Sequence, residues 1–258
     1  THTHTHTHTH TQSHSKTQLY THSCTHSHTH SLSLCADTEL AVKRFENCDV
    51  VGRSTFLQEV LVLGACSHPH LLPILAISVD EGNPTCIVTP LMRGGSLDTH
   101  MRRHSHTPTH PPSTLPHQPL NWLQRLRVCC QVAQGLVYLH TEDSTRHKPV
   151  ILHRDVKPAN ILLDSAFNAR LADPGMACVA PQLGGGGRTH ISSMLVVGTN
   201  GCLDPSVQAT GRYDQSSDGY SLGVTLLVVL TGWLPFDTEQ EEPLITTRLH
   251  HFLNGGDL

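Results

Sequence analysis

At 258 residues the chain is long for one ordinary domain and short for two, so length alone allows a two-lobed unit or a pair of small domains. Its 17 Lys and Arg against 21 Asp and Glu leave a formal charge of −4, which argues against a surface built for phosphate backbones or anionic lipid, so nucleic acid is not an expected partner. Nine Cys, odd in number and without a C-x-x-C pair, argue against a disulfide framework and fit a reducing, cytoplasmic compartment, and no signal-peptide pattern opens the chain.

Residues 1–10 are five Thr-His pairs, and ten of the 23 His lie in the first thirty positions. Neither alternating class is apolar, so no face exists whose burial would offset the ordering entropy, and residues 1–33 are expected to form a disordered tail. Two readings of the tract arise. Neutral imidazoles are ligands for zinc, nickel or copper, but a DNA repeat of alternating A and C, which translates in one frame as Thr-His, fits the tract better.

From residue 34 onward the composition can support a core. Glu39–Lys43 reads as a short strand ending at Lys43. Ser54 or Thr55 is expected to cap a helix carrying Phe56, Leu57, Val60, Leu61 and Leu63, with the charged Glu59 in its middle, stopped by His68-Pro69-His70. Leu71–Val79 and Cys86–Leu91 read as strands joined by a turn at 80–84, giving a β-α-β-β start. Five prolines between Pro108 and Pro119 mark 104–119 as a surface insertion. Residues 121–140 form the clearest helix, with an expected apolar stripe of Leu126, Cys130, Ala133, Leu136 and Val137 broadened by Val128 and Val132. The chargeless stretch from Gly219 to Phe236 touches the lower length limit of a membrane span. Gly223, Thr225, Thr231, Gly232 and Pro235 interrupt it, and a helix buried in a large lobe fits better, so no membrane segment is expected.

The motif with the most chemical content is Ile151-Leu-His153-Arg154-Asp155-Val156-Lys157-Pro158-Ala159-Asn160-Ile-Leu-Leu-Asp164. It resembles the catalytic loop of eukaryotic protein kinases. Phosphoryl transfer to a hydroxyl needs a carboxylate to orient the nucleophile, a cation for developing charge and an oxygen ligand for Mg2+. The resemblance assigns these roles to Asp155, Lys157 and Asn160. Thirteen residues on, Asp173-Pro174-Gly175 stands where the family carries Asp-Phe-Gly, which implies that Asp173 is a second metal ligand. Pro174 replaces the aromatic residue, removes one backbone N–H and is expected to push Asp173 toward extended dihedrals.

The same resemblance extends to both sides. Leu40-Ala41-Val42-Lys43 is similar to the strand whose Lys grips the nucleotide phosphates, and Phe56–Val60 to the helix whose Glu pairs with it, so Lys43 and Glu59 are expected to form an ion pair. Cys86–Leu97 is similar to the hinge, with Thr89 as gatekeeper, Pro90, Leu91 and Met92 along the adenine, and Ala41 and Leu162 sandwiching it. Val197-Gly198-Thr199 to Pro205-Ser206 stands where an activation segment ends, and Thr199 is expected to support the catalytic loop. Ser217-Asp218-Gly-Tyr-Ser-Leu-Gly223-Val224 resembles the start of a buried central helix. Thr189, Ser192 and Ser193 offer hydroxyls for phosphorylation, with no choice between the last two. The overall pattern is most similar to receptor-like and Pelle-related serine/threonine kinases.

The family expectation departs in four places: no glycine precedes Gly52, so a Gly-rich phosphate loop before Lys43 is missing; Pro174; Ser206 in place of a Glu; and a chain that stops at Leu258, before the last helices. The Gly184–Gly187 run, inside the activation segment, is read as a flexible insertion. The resulting expectation is an α+β, two-lobed, protein-kinase-like fold over 34–258, with a truncated small β lobe (34–92) and a mainly helical large lobe (93–258). It implies an ATP- and Mg2+-dependent serine/threonine kinase acting on protein substrates, as a cytoplasmic chain or the intracellular part of a membrane-anchored parent. The alternative is a catalytically impaired binding module.

Overall fold

The computed structural model describes residues 15–20, 39–45, 50–78, 85–102, 119–180, 190–193, 195–238, 240 and 242–255. The rest of the Thr/His segment, the turn at 80–84, nearly all of the 104–119 insertion, Gly184–Gly187 and Thr189 lie outside the described residues.

The first lobe is a sheet with one helix across it. Strands β1 (Ser15–Tyr20) and β2 (Leu40–Phe45) precede helix α1 (Val50–Gly64), followed by β3 (Ala76–Ser78) and β4 (Thr85–Pro90). All pairings are antiparallel, in the order β1-β2-β4-β3. Ser15–Tyr20 therefore departs from the expected disorder of residues 1–33: it lies outside the Thr-His pairs, and the open edge of β2 supplies main-chain partners that an isolated tail lacks. Strand β2 runs two residues further than expected, which puts Lys43 inside the ladder. Helix α1 begins at Val50, so Ser54 and Thr55 lie within it, and it ends at Gly64. Leu71–Leu75 is not a strand. Leu71 bridges Leu171 instead, and the Leu72 N–H donates to the Leu171 carbonyl at 2.9 Å, so this segment belongs to the neighbouring lobe's hydrogen-bond system.

The second lobe opens with β5 (Gly95–Ser96), α2 (Leu97–Arg102) and α3 (Trp122–His140), continues through β6 (Ile151–Leu152), β7 (Ile161–Leu163), β8 (Ala169–Leu171), β9 (Cys178–Val179) and β10 (Ile191–Ser192), and then α4 (Pro205–Thr210), β11 (Arg212–Tyr213), α5 (Gln215–Thr231) and α6 (Ile245–Leu253). Asn121 caps α3 with a reciprocal box: its side chain accepts the Gln124 N–H and Gln124 Oε1 accepts the Asn121 N–H, both at 2.9 Å. The buried face of α3 is Val128, Cys129, Gln131, Val132, Gly135, Leu136 and Leu139, whereas Leu126, Cys130 and Val137 are exposed. The expected stripe holds at Val128, Val132 and Leu136 and fails at Leu126, Cys130 and Val137, because two inward positions are not apolar. Gln131 turns in to hydrogen-bond the Ala169 N–H at 2.8 Å, and at Gly135 a Cβ would stand 2.8 Å from the His70 carbonyl oxygen.

Two cores result. Phe45, Phe56 and Ile87 pack in the first lobe, the two rings edge to face with centroids 5.4 Å apart. In the second, α3 and α5 close over Leu97, Met101, Ile151, Ile161, Leu163 and Leu171, each burial contributing roughly 1.5–3 kcal/mol. Leu72, Met92, Ala172 and the half-buried Leu162 form a small apolar cluster of their own. Helix α5 is the expected buried helix, but its inward face opens with polar residues, Ser217, Asp218 and Ser221, before Val224, Thr225 and Val228. Among the described residues no helix is long and apolar enough to cross a membrane.

Candidate active site

The antiparallel register of β2 on β4 sets Ala41 opposite Thr89 and Lys43 opposite Ile87. Because side chains alternate along a strand, Ala41, Lys43 and Phe45 share one face. Helix α1 lies against that face with Phe56 packed on Phe45 and Ile87 and Glu59 buried beside Lys43, while Val62 belongs to the second lobe's core, so the one charged residue of its buried stripe meets the one charged residue of the sheet face. Lys43 Nζ donates to Glu59 Oε2 at 2.7 Å and to Asp173 Oδ1 at 2.7 Å. The expected Lys43–Glu59 pair is thus a three-membered group. Its exposure is graded: the Glu59 side chain is 4% exposed, Lys43 16% and Asp173 38%.

Burial alone would lower the Lys43 pKa, but the Asp173 and Glu59 carboxylates outweigh it and hold the ammonium above its ordinary range. Burial pushes Glu59 up, Lys43 offsets part of that, and Asp173 as a second anion adds to it. Asp173 stays below the usual carboxylate range: burial opposes this, but Lys43 prevails, with smaller help from His153 and Lys157. Lys43 therefore serves the two carboxylates unequally, and Asp173 is the more firmly ionised.

The chain leaving β4 carries the hinge candidates. Thr89 and Met92 are buried, Pro90 and Leu91 half-buried, and the Leu91 N–H donates to the Glu39 carbonyl at 3.1 Å. Met92 shares the small apolar cluster with Leu162 of β7, and Ala41 lies across the ladder from Thr89.

Between β6 and β7, His153–Asn160 form a tight loop held from beneath by Asp218 of α5. Asp218, 1% exposed, accepts the His153 N–H on Oδ2 and the Arg154 N–H on Oδ1, both at 2.8 Å, and faces His140 Nε2 at 2.8 Å. Arg154 has φ 65°, a left-handed conformation costly for a residue with a Cβ, so the Asp218 carboxylate holds a strained turn in place. Above that turn Asp155 is 6% exposed and its carboxylate receives three donors. Lys157 Nζ at 2.7 Å and Asn160 Nδ2 at 3.0 Å reach Oδ2, and the Thr199 hydroxyl reaches Oδ1 at 2.6 Å. Lys157 Nζ also donates to Thr199 Oγ1 at 2.8 Å. The Ala172 N–H on the Asn160 carbonyl at 2.8 Å ties this loop to the segment that carries Asp173.

Asp173 differs from expectation. Its φ of 56° and ψ of 60° are left-handed, not extended. The following proline disfavours the right-handed helical region, the Lys43 hydrogen bond holds the carboxylate, and Asp tolerates the left-handed well better than most residues. Pro174 opens a 3-10 turn, Pro174–Met176, at a position where its missing N–H costs nothing. That turn is fastened to α1: Gln58 Nε2 donates to the Ala177 carbonyl at 2.7 Å.

The predicted residues divide into two groups by location: Lys43, Glu59 and Asp173 in one contact network, Asp155, Lys157, Asn160 and Thr199 in another. Sequence reasoning passed over Asp218, His140 and Gln58. The available signal was an acidic residue one position before a long chargeless stretch. Ser206 is exposed, its N–H donating to Asp204 Oδ1 at 2.8 Å. Cys202, buried near Asp155, has its thiol pushed up to about 12 by burial first and by that negative charge second, so it remains protonated.

Oxygen atoms dominate what the site offers a ligand. Asn160 spends its Nδ2 on Asp155, which leaves Oδ1 as a donor atom, and Asp173 is the most exposed carboxylate of its group. Both are hard oxygen donors of the kind an octahedral divalent cation takes when it completes its shell with phosphate and water.

Residues 29–254 match the protein kinase domain family model. Among curated relatives from Arabidopsis thaliana, the chain is 37% identical over 211 residues to the probable serine/threonine-protein kinase PBL26, covering 80% of this chain and 46% of that protein. It is 38% identical over 193 residues to the probable serine/threonine-protein kinase PBL3, covering 75% and 40%. A probable LRR receptor-like serine/threonine-protein kinase is 35% identical over 219 residues, covering 85% of this chain and 23% of that protein. The chain thus spans less than half the length of these relatives.

Proposed function

The chain belongs to the protein kinase family, in its receptor-like and Pelle-related serine/threonine branch, and from that premise we propose that it transfers the γ-phosphoryl group of ATP to Ser or Thr hydroxyls of protein substrates. The observation that carries the proposal is the convergence of Lys157, Asn160 and Thr199 on the Asp155 carboxylate. Asp155 orients the acceptor hydroxyl and takes its proton as the oxygen attacks. Lys157, fixed by both Asp155 and Thr199, presents positive charge where negative charge develops. Bound Mg-ATP supplies the phosphoryl group and neutralises part of that charge. Asn160 and Asp173 would hold the metal, Lys43 the phosphates with Glu59 positioning it, and Ala41, Leu162, Thr89, Pro90, Leu91 and Met92 the adenine. We place this activity in the cytoplasm, with a Ser/Thr-bearing protein as partner; the free thiols of Cys66, Cys86, Cys129, Cys130, Cys178 and Cys202 support a reducing compartment.

A second reading, a kinase-shaped binding module without turnover, is favoured by Pro174, which stands where the family carries an aromatic residue beside Asp173. Mass spectrometry of the purified chain incubated with Mg-ATP, beside Asp155→Ala, separates the two. Phosphate in the wild type alone supports transfer. Phosphate in neither, with Mg-ATP still raising the melting temperature, supports the module.

A further inference from the structure

Thr55, Gln58, Glu59 and Val62 follow one another on α1 at steps of three, one and three, which sets them on one face of the helix. Glu59 uses that face to hold Lys43. Thr55 and Gln58 meet the turn Pro174–Met176 just beyond Asp173. A Cβ on Gly175 would stand 2.8 Å from the Thr55 methyl group, so the turn lies close against the helix, and Gln58 Nε2 donates to the Ala177 carbonyl at 2.7 Å. Ala177 is 1% exposed, so its carbonyl has little solvent to turn to if that donor is lost.

The same turn has a second tie. The Met176 carbonyl accepts from Arg154 Nε at 2.5 Å, so two successive carbonyls are held from two elements, one by the loop that carries Asp155 and one by α1 of the first lobe. Asp173 itself has little hold on the turn it precedes. Its side chain makes no cap bond there, its carboxylate goes to Lys43, and Pro174 has no N–H to offer. A left-handed φ of 56° on a residue with a Cβ persists only where the surroundings enforce it. Here the enforcement comes from Lys43 on the side chain and from Gln58 further along the backbone.

We propose that Gln58 is a positioning residue for phosphoryl transfer, and that its hold on the Ala177 carbonyl keeps the Asp173 carboxylate where a divalent cation takes it. The proposal rests on the kinase reading for the cation and the reaction. Without the Gln58 donor the segment stays tied to Arg154 but loses its hydrogen bond to α1, and Asp173 relaxes out of the left-handed region, away from Lys43. Asp155, Lys157 and Thr199 hold one another without any bond to α1, so the base and the ammonium beside it stay in place. The loss therefore falls on the metal requirement and not on capture of the protein substrate.

Gln58→Met keeps the length of the side chain and removes the donor; Gln58→Lys keeps the length and supplies a donor again. In the full chain, the Mg2+ concentration that gives half-maximal transfer should rise roughly 3- to 10-fold in the Met variant, the ratio expected for one lost hydrogen bond, with KM for a generic protein substrate unchanged. The Lys variant should return toward wild type. Hydrogen exchange of the chain alone gives a readout free of turnover. Backbone amides of 171–180 should exchange faster in the Met variant and at the wild-type rate in the Lys variant, with 151–160 unaffected in both. Unchanged exchange over 171–180 in the Met variant overturns the proposal, as does equal impairment of the Met and Lys variants, which would leave Gln58 a packing role alone. If the wild type transfers no phosphate while the exchange contrast holds, the kinase reading fails and the fastening of the Asp173 segment stands; transfer with no exchange contrast does the reverse.

Discussion

The Thr199 hydroxyl donates to Asp155 Oδ1 at 2.6 Å while accepting from Lys157 Nζ at 2.8 Å, so one side chain fixes both the base and the cation of the site. Thr199→Val keeps the shape and removes both bonds. A charge-assisted hydrogen bond contributes about 1.5–3 kcal/mol, so kcat should fall roughly 10- to 100-fold with little change in KM for ATP. Thr199→Ser should recover most of it in a steady-state assay. An unchanged kcat in the Val variant would show that Asp155 is positioned without Thr199.

Lys43→Met leaves Glu59 buried without its cation. Removing one partner of such a pair costs about 3–5 kcal/mol when the remaining charge stays ionised. Glu59 already has its pKa pushed up by burial, so in the variant the folded state favours the protonated acid. The loss should therefore be small at pH 5 and grow as pH rises through the carboxylate range toward pH 8, measured by urea unfolding. A loss independent of pH would contradict this account.

Asp218→Ala orphans the His153 and Arg154 N–H groups and releases the left-handed turn at Arg154. We expect a loss of roughly 2–4 kcal/mol in urea unfolding together with complete loss of transfer. Asp218→Asn, which keeps an acceptor, should fold with a smaller deficit.

The acid limb of the stability curve should respond to Asp164. Burial would raise its pKa, but the Asn168 side chain and the Asn168 and Ala166 N–H groups, at 2.8–2.9 Å, hold it below the usual range. With the folded pKa lowered, its contribution is present above the unfolded carboxylate pKa and is lost as pH falls through the folded one. Asp164→Ala should destabilise the chain at pH 7 more than at pH 3. Equal losses would exclude a contribution from ionisation.

Gly135→Ala drives a methyl group to 2.8 Å from the His70 carbonyl oxygen, a backbone atom that cannot swing aside. The melting temperature should drop by an amount corresponding to roughly 1–3 kcal/mol. A neutral substitution would show that the 66–72 segment moves freely away from α3.

Much of this was legible because the catalytic-loop motif, the strand Lys and the helix Glu are local patterns with fixed spacing. Lys43, Glu59, Asp155, Lys157, Asn160 and Thr199 were all named from the sequence, and the structure joins Lys43 to Glu59 in one contact network and the other four in a second. What was not legible depends on partners distant in sequence. The α3 stripe was misjudged at Leu126, Cys130 and Val137 because Gln131 and Gly135 face inward through contacts with Ala169 and His70, which no periodicity in α3 records. Asp173 was expected to be extended because the rule for residues before proline is local, whereas Lys43, 130 positions away, holds its carboxylate. The strand at Ser15–Tyr20 was missed for the same reason: its stabilising partner is the edge of β2.

The stretch from Ser67 to Leu72 gives α1 a fixed end. Ser67 donates its N–H to the Tyr138 hydroxyl at 3.1 Å, His68 stacks on the Tyr138 ring at 5.0 Å, and Leu72 is bonded to Leu171, so the chain just beyond Gly64 is fastened to the second lobe while α1 lies on the first. At 1.5 Å per residue, Glu59 stands about 7–8 Å from that end and Val50 about 21 Å. A second tie, from Gln58 to the Ala177 carbonyl, lies one residue from Glu59, so the carboxylate facing Lys43 sits between two anchors to the second lobe, and a shift of the Pro174–Met176 turn is passed to it directly.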